Sequence, residues 1–350
     1  TIKAQVPQLL WDAAPFLKSL ALIVILLRAG LGIRRDNLQA AGRVSLLLAF
    51  VPCLFEGTAL TVMFAWLWSF SWPVAGLTAF MLSAVSLAVT VPAMLELRQN
   101  RAAMKNCAPT AILAGCSVDN VVAITLFSAF LGMATSKNSA IGEALLKVPL
   151  SIAAGIACGA FVGLLLVRWL DKKYERIRAT EKTLILICIA FLLAEFGNML
   201  QIAALLGVMT VGFVFLQKSE RIAHEIAAKL SKIWVFAEII LFVLIGLSLE
   251  VSAVSRAGLQ GLAIIAVGLL FRSLGVLLAT AGSGMSPADR RLSIMAYLPK
   301  ATTQAALGGV ALQQGLPEGQ LILAIAVMAI VVTSPIGLIG IKYANRAFTD

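Results

Sequence analysis

The sequence predicts an all-α polytopic membrane protein, and three observations carry that reading. The chain of 350 residues is 60% hydrophobic and only 13% charged, whereas soluble domains lie nearer half apolar and a quarter charged. Its apolar residues fall into about eleven windows long enough to cross a hydrocarbon layer of about 30 Å. Its basic residues are also unevenly distributed between alternate loops. About twenty, from Arg34, Arg35 and Arg43 through the run Arg168–Lys182 to Lys342 and Arg346, fall on one side; only Lys3, Lys137, Lys147 and Arg256 fall on the other. The rich side is therefore assigned to the cytoplasm, which puts the C-terminus inside and starts the first helix outside. The formal net charge of +11 is thus a topology signal, and no nucleic-acid partner is implied.

Taken in order, the windows are 14–33, 44–68, 72–95, 108–133, 144–169, 183–199, 202–217, 233–250, 258–281, 291–314 and 321–341. In the first, Lys18 and Arg28 lie toward the ends and can snorkel to the interface. The second holds a deep acid, Glu56, and the ninth a deep base, Arg272; a buried charge needs a partner, so the two are expected to pair as a brace. Gly155, Gly159 and Gly163 make a small-residue face on the fifth, suited to close helix approach within the chain or in a dimer. The sixth and seventh are separated only by Leu200 and Gln201, so a tight hairpin and a broken helix both remain open. The sixth also carries Glu195, which reads as a third deep acid. Between the seventh and eighth, Lys218–Lys232 is a basic stretch with the lone His224; it reads as a solvated loop or as an amphipathic surface segment.

Two windows look interrupted. Ser83–Pro92 places Ser86, Thr90 and Pro92 in the third, and Tyr297–Gln304 places Pro299, Lys300, Thr302 and Thr303 in the tenth, followed by Gly308-Gly309. Proline removes a helical hydrogen bond and crowds the preceding turn. The third and tenth windows correspond if the chain consists of two inverted halves joined by a linker helix, and paired broken helices point to a midplane site. The alternative is a pair of kinks that only bend packed helices.

The fourth window carries the strongest chemical signal. Ser117, Asp119 and Asn120 interrupt an apolar run, and an acid at that depth costs a few kcal/mol or more, which marks it as a candidate functional site. Its oxygens can hold a hard cation, or the carboxylate can hold a proton. A polar pair satisfied by neighbouring helices is the competing reading. The five cysteines, Cys53, Cys107, Cys116, Cys158 and Cys188, show no CxxC or paired spacing and read as small hydrophobes. No nucleotide loop, metal-ligand cluster or nucleophile with its base is visible, so enzyme chemistry is not expected.

Ser117-Val118-Asp119-Asn120 with Ala123-Ile124-Thr125 resembles the paired-acid helix of NHA-type sodium/proton antiporters, of the cation:proton antiporter superfamily. Pro299–Ala305 resembles the second crossing helix of that branch; Leu27–Gly32 and Ala88–Pro92 also match, and Glu56 and Arg272 fall where the branch holds an acid–arginine pair. The resemblance covers about the whole chain. It implies an inverted-repeat antiporter fold with two crossing broken helices, an ion-binding core over 72–133 and 258–341, and a scaffold that forms a homodimer. It implies exchange of sodium or lithium for protons in pH homeostasis at the cell membrane, with no cofactor. Asp119 would bind sodium transiently; Asn120, Thr90, Ser117 and unwound carbonyls near Val89 and Thr302 would supply further oxygens. Pro92, Thr302 and Thr303 would shape the crossing, and Lys300 would balance its helix ends or carry a second proton.

Two features depart from that pattern. The family fold usually has thirteen or fourteen helices, so one to three N-terminal helices are expected to be absent here. The second acid of the pair is Asn120, a residue that does not titrate. It is either native, implying fewer protons per cycle and electroneutral exchange, or a substitution that silences transport. A transport-inactive ion or pH sensor, a sodium-coupled organic-anion symporter and a channel are the rival expectations.

Overall fold

The computed structural model describes residues 8–32, 35–99, 108–135, 141–200 and 202–346. Lys3, Arg34, Cys107, Lys137 and Gln201, which entered the sequence reading, lie outside the described residues. Thirteen α-helices and no strand occur among them. They are α1 (Gln8–Leu31), α2 (Arg35–Leu67), α3 (Trp72–Ser83), α4 (Leu87–Gln99), α5 (Ala108–Thr135), α6 (Ile141–Lys172) and α7 (Ala179–Met199). The remainder are α8 (Ala204–Lys218), α9 (Glu220–Ser248), α10 (Val251–Thr280), α11 (Pro287–Tyr297), α12 (Thr302–Gln313) and α13 (Gly319–Arg346). The eleven windows are all found, because the third divides into α3 and α4 and the tenth into α11 and α12. Among the described residues eight spans are long and apolar enough to cross a membrane, α3 and α4 being taken together as one.

The chain divides into two compact units, residues 1–33 with 131–249 and residues 34–130 with 250–350. In the first, α6 packs on α8, and α1 packs on α8 and α9. The glycine face of α6 is the reason α8 can approach: a Cβ at Gly159 would lie 2.2 Å from the Gly207 carbonyl oxygen. That face therefore serves contact within the chain. The sixth and seventh windows are separate helices packed side by side, with the Ile202 N–H bonded to the Gly197 carbonyl at 2.9 Å.

Two expectations need correction in this unit. His224 is not in a loop: α9 begins at Glu220 and buries Ile222, Ala223, Ile226 and Leu230, so the basic stretch is the start of a spanning helix. His224 sits on its exposed face, with Nδ1 2.8 Å from the Glu220 carbonyl. Glu195 is exposed near the end of α7 and joins no buried cluster. Lys18 donates to Ser248 Oγ, at the end of α9, at 2.6 Å, and Arg28 lies over the Trp234 ring at 5.6 Å.

In the second unit α2 packs along α10 and against α3, while α13 lies against α10, α11 and α12. Leu48, Val85, Met94, Ile112, Cys116, Val276, Tyr297 and Ile341 form its core. α11 starts on a capping box, in which the Ser286 hydroxyl accepts the Asp289 N–H and the Asp289 carboxylate accepts the Ser286 N–H, both at 3.1 Å. Of the cysteines, Cys53 and Cys116 are buried as expected, whereas Cys188 is exposed.

Candidate functional site: two helix breaks around a buried charge cluster

The interruption between α3 and α4 spans Ala84–Ser86, and that between α11 and α12 spans Leu298–Ala301. A helix that stops inside an apolar unit leaves several carbonyls and N–H groups without intrahelical partners. Here the two breaks and their neighbours supply those partners. The Ser86 N–H donates to the Pro299 carbonyl at 2.9 Å, backbone to backbone across the two breaks. The Val85 N–H donates to Asp119 Oδ2 at 3.3 Å, and the Val85 carbonyl accepts from Asn120 Nδ2 at 2.9 Å. On the other break, the Lys300 N–H donates to Thr333 Oγ1 at 2.8 Å and its carbonyl accepts from Ser334 Oγ at 2.5 Å. Pro299 thus lies in its break. Pro92 does not: it sits exposed inside α4, six residues beyond Ser86, and a single lost bond there leaves the helix continuous. The carbonyls expected to be unwound near Val89 and Thr302 are likewise found earlier in the chain, because Leu87 and Thr302 already begin the second halves.

Four charged side chains meet beside the breaks, all of them buried. Arg272 is wholly enclosed. Its Nη1 donates to Glu56 Oε2 at 2.7 Å and to the Ser83 carbonyl, its Nη2 to Asp119 Oδ2 at 2.9 Å, and its Nε to the Tyr297 carbonyl at 2.6 Å. Lys300 Nζ donates to the same Glu56 oxygen at 2.7 Å. The predicted Glu56–Arg272 pair is present, but as half of a larger arrangement: two carboxylates and two cations, of zero net charge when all are ionised. Lys300 meets Glu56 rather than a bare helix end. The guanidinium suits this position because its planar fork can face two carboxylates and two carbonyls at once, which a point-like ammonium cannot.

Asp119 is fully buried, and its second oxygen, Oδ1, has no hydrogen-bond partner. A buried carboxylate oxygen without a partner is expensive, and each such group calls for an explanation. Asn120, one residue on, is turned the other way. Its amide nitrogen donates to Val85 O and, at 3.1 Å, to Cys116 O; its Oδ1 accepts from Thr303 Oγ1 at 3.4 Å. Thr90 donates to the Ala296 carbonyl at 2.8 Å and so ties α4 to the end of α11. Ser117 is not brought to the acid. Its hydroxyl donates to Leu113 O on its own helix, and two residues along an α-helix turn it about 200° away from Asp119. Thr302 is buried at the first position of α12. Among the described residues no group of His, Cys, Asp or Glu side chains suits a resident metal.

The residue that sequence reasoning passed over is Gln304. It lay inside the quoted Pro299–Ala305 motif, and the signal was available: a glutamine at the third position of a helix that restarts after proline can cap that restart. Thr333 and Ser334, in the middle of an apolar window, were missed because a hydroxyl there ordinarily bonds its own helix.

A model of the transmembrane sodium/hydrogen exchanger family matches residues 6–343. The chain belongs to that family. Human sodium/hydrogen exchanger 9B1 is 28% identical, with 95% of this chain and 67% of that protein covered. Sodium/hydrogen exchanger 9B2 of Xenopus tropicalis is 32% identical over 93% of this chain and 62% of its own length, and that of Mus musculus 32% over 95% and 62%. The chain thus spans about two thirds or less of the length of these relatives. The solved sodium proton antiporter MjNhaP1 of Methanocaldococcus jannaschii shares the fold, with TM-score 0.74, 18% identity, and 99% of this chain and 88% of that one covered. The resemblance read from the Asp119–Asn120 and Pro299–Ala305 motifs is borne out, and this exchanger-family chain is a multi-pass membrane protein.

Proposed function

We propose that this chain exchanges sodium or lithium for protons across the cell membrane by alternating access, with Asp119 as the carboxylate that holds each in turn. The supporting observation is the Asp119 carboxylate itself: fully enclosed, one oxygen held by Arg272 and Val85, the other unpartnered. A carboxylate must be deprotonated to bind a cation and releases it on protonation, which couples the two fluxes. The surrounding charges allow both states. When a proton or cation neutralises Asp119, Arg272 keeps Glu56 and two carbonyls, so no charge is left buried alone. Asn120 supplies an amide where a second acid would add a titrating group, so one proton leaves for each cation and the exchange is electroneutral.

The ion-binding core is assigned to 72–133 and 258–341, with α2 contributing Glu56. The C-terminus is cytoplasmic on the loop-charge asymmetry, and the working form is a homodimer. The names of the family and of its relatives 9B1 and 9B2 support the same reading. Proteoliposomes carrying the chain test it directly through sodium-driven change of internal pH. Flux in the parent, lost in Asp119→Asn and insensitive to a clamped membrane potential, is the expected result. A silent parent that regains flux in Asn120→Asp would mean a silenced exchanger, and silence in all three would overturn the proposal. Sodium binding without flux would move the chain to a sensing role.

A further inference from the structure

We infer that Gln304 is a positioning residue for the cation site, the clamp that holds one helix break to the other. The role rests on the exchange reading above, but the geometry stands independently of it. Gln304 is wholly buried in the first turn of α12. Its two Nε2 hydrogens are shared among three carbonyls at the end of α3, those of Ala84 at 2.6 Å, Met81 at 3.2 Å and Leu82 at 3.3 Å. Its Oε1 accepts the Ala301 N–H at 2.9 Å, on the residue where α12 restarts. One amide therefore caps the C-terminal end of the first half-helix and the N-terminal end of the second, which lies more than two hundred residues away in sequence.

The consequence for the cation site follows from the neighbouring bonds. The Ala84 carbonyl that Gln304 holds belongs to the peptide whose nitrogen is that of Val85, and that N–H donates to Asp119 Oδ2. The plane of this single peptide is thus fixed at one side by Gln304 and at the other by the carboxylate. Ser83 O, one residue earlier, accepts from Arg272, which holds the same Asp119 oxygen. Releasing Gln304 frees the 84–85 peptide to rotate, so the N–H that orients Asp119 is no longer aimed. The role needs an amide. A carboxylate of the same shape would oppose three carbonyl oxygens, and a methionine of similar length would leave them unpaired. The Val85 N–H is the partner one bond removed from the ion, and Gln304 acts through it; losing such a partner typically costs about 10–100-fold in metal affinity.

The test compares the parent with Gln304→Met, Gln304→Glu and Gln304→Asn, purified in detergent and reconstituted. Two readouts are needed. Hydrogen–deuterium exchange of peptides covering 81–90 reads the clamp without transport; faster exchange there in Gln304→Met, with peptides of α6 and α8 unchanged, is expected. Sodium-driven internal pH change reads its effect, and the expected result is a sodium half-saturation raised at least tenfold with the rate at saturating sodium retained. Gln304→Asn keeps the amide but loses reach, and should fall between parent and Gln304→Met on both readouts. If Gln304→Glu fails to fold, Gln304→Met and Gln304→Asn still decide. Unchanged exchange over 81–90 would overturn the clamp. Faster exchange with unchanged half-saturation in an active parent would overturn its role at the cation site. A parent without sodium-driven flux would instead overturn the exchange reading, and the exchange data alone would then judge the clamp.

Discussion

Arg272 is the side chain whose loss should be felt most. Replacement by glutamine removes the guanidinium that faces Glu56, Asp119 and the carbonyls of Ser83 and Tyr297. Glu56 keeps Lys300, but Asp119 keeps only the Val85 N–H at 3.3 Å. Leaving one member of a buried pair uncompensated costs about 3–5 kcal/mol, and each orphaned carbonyl about 1–3 kcal/mol more. The total, roughly 5–11 kcal/mol, approaches the whole stability of a typical domain, about 5–15 kcal/mol. Arg272→Gln should therefore express poorly, or melt about 10 °C or more below the parent. The informative measurement is a double-mutant cycle. Adding Asp119→Asn to Arg272→Gln removes the stranded charge, so the double variant should be the more stable of the two by about 2–3 kcal/mol, read as melting temperature in detergent. A double variant no more stable than Arg272→Gln, or an Arg272→Gln that melts within about 2 °C of the parent, would refute the charge-balance reasoning.

Three further outcomes follow from the same geometry. Asn120→Asp points a carboxylate at the carbonyls of Val85 and Cys116; it should melt lower than the parent without sodium and gain more from added sodium, as a thermal-shift titration reads. Thr303→Val removes only a long bond of 3.4 Å, so its stability should change by less than about 1 kcal/mol and its sodium half-saturation by less than about threefold. Gly159→Val sets a side chain where even its Cβ would lie 2.2 Å from the Gly207 carbonyl oxygen; size-exclusion profiles should show loss of folded protein, since the backbone of α8 must move by more than a packed unit allows.

Much of the fold was legible because the lipid phase imposes a simple rule on sequence. A helix must supply some twenty apolar residues to cross, so windows such as 44–68 and 321–341 announce themselves. Buried charge is costly enough that Glu56, Asp119, Arg272 and Lys300 stood out as residues needing partners. His224 was misread for the complementary reason: a polar stretch at the start of a long helix resembles a loop until its buried face, Ile222, Ile226 and Leu230, is known.

What sequence alone determined about this protein is its class, its spans, the burial of Glu56, Asp119, Arg272 and Lys300, and the pair of interrupted helices. Those properties depend on transfer from water to an apolar medium, which is summed residue by residue along the chain. The partners were decided only in three dimensions. Arg272 reaches Asp119 across 153 positions of sequence, Lys300 reaches Glu56 across 244, and Gln304 reaches Ala84 across 220. Which donor meets which acceptor depends on direction and on distances of about 3 Å. That geometry exists only after α3, α5, α10 and α12 have packed, and it put the breaks at Ala84–Ser86 and Leu298–Ala301 rather than at Pro92.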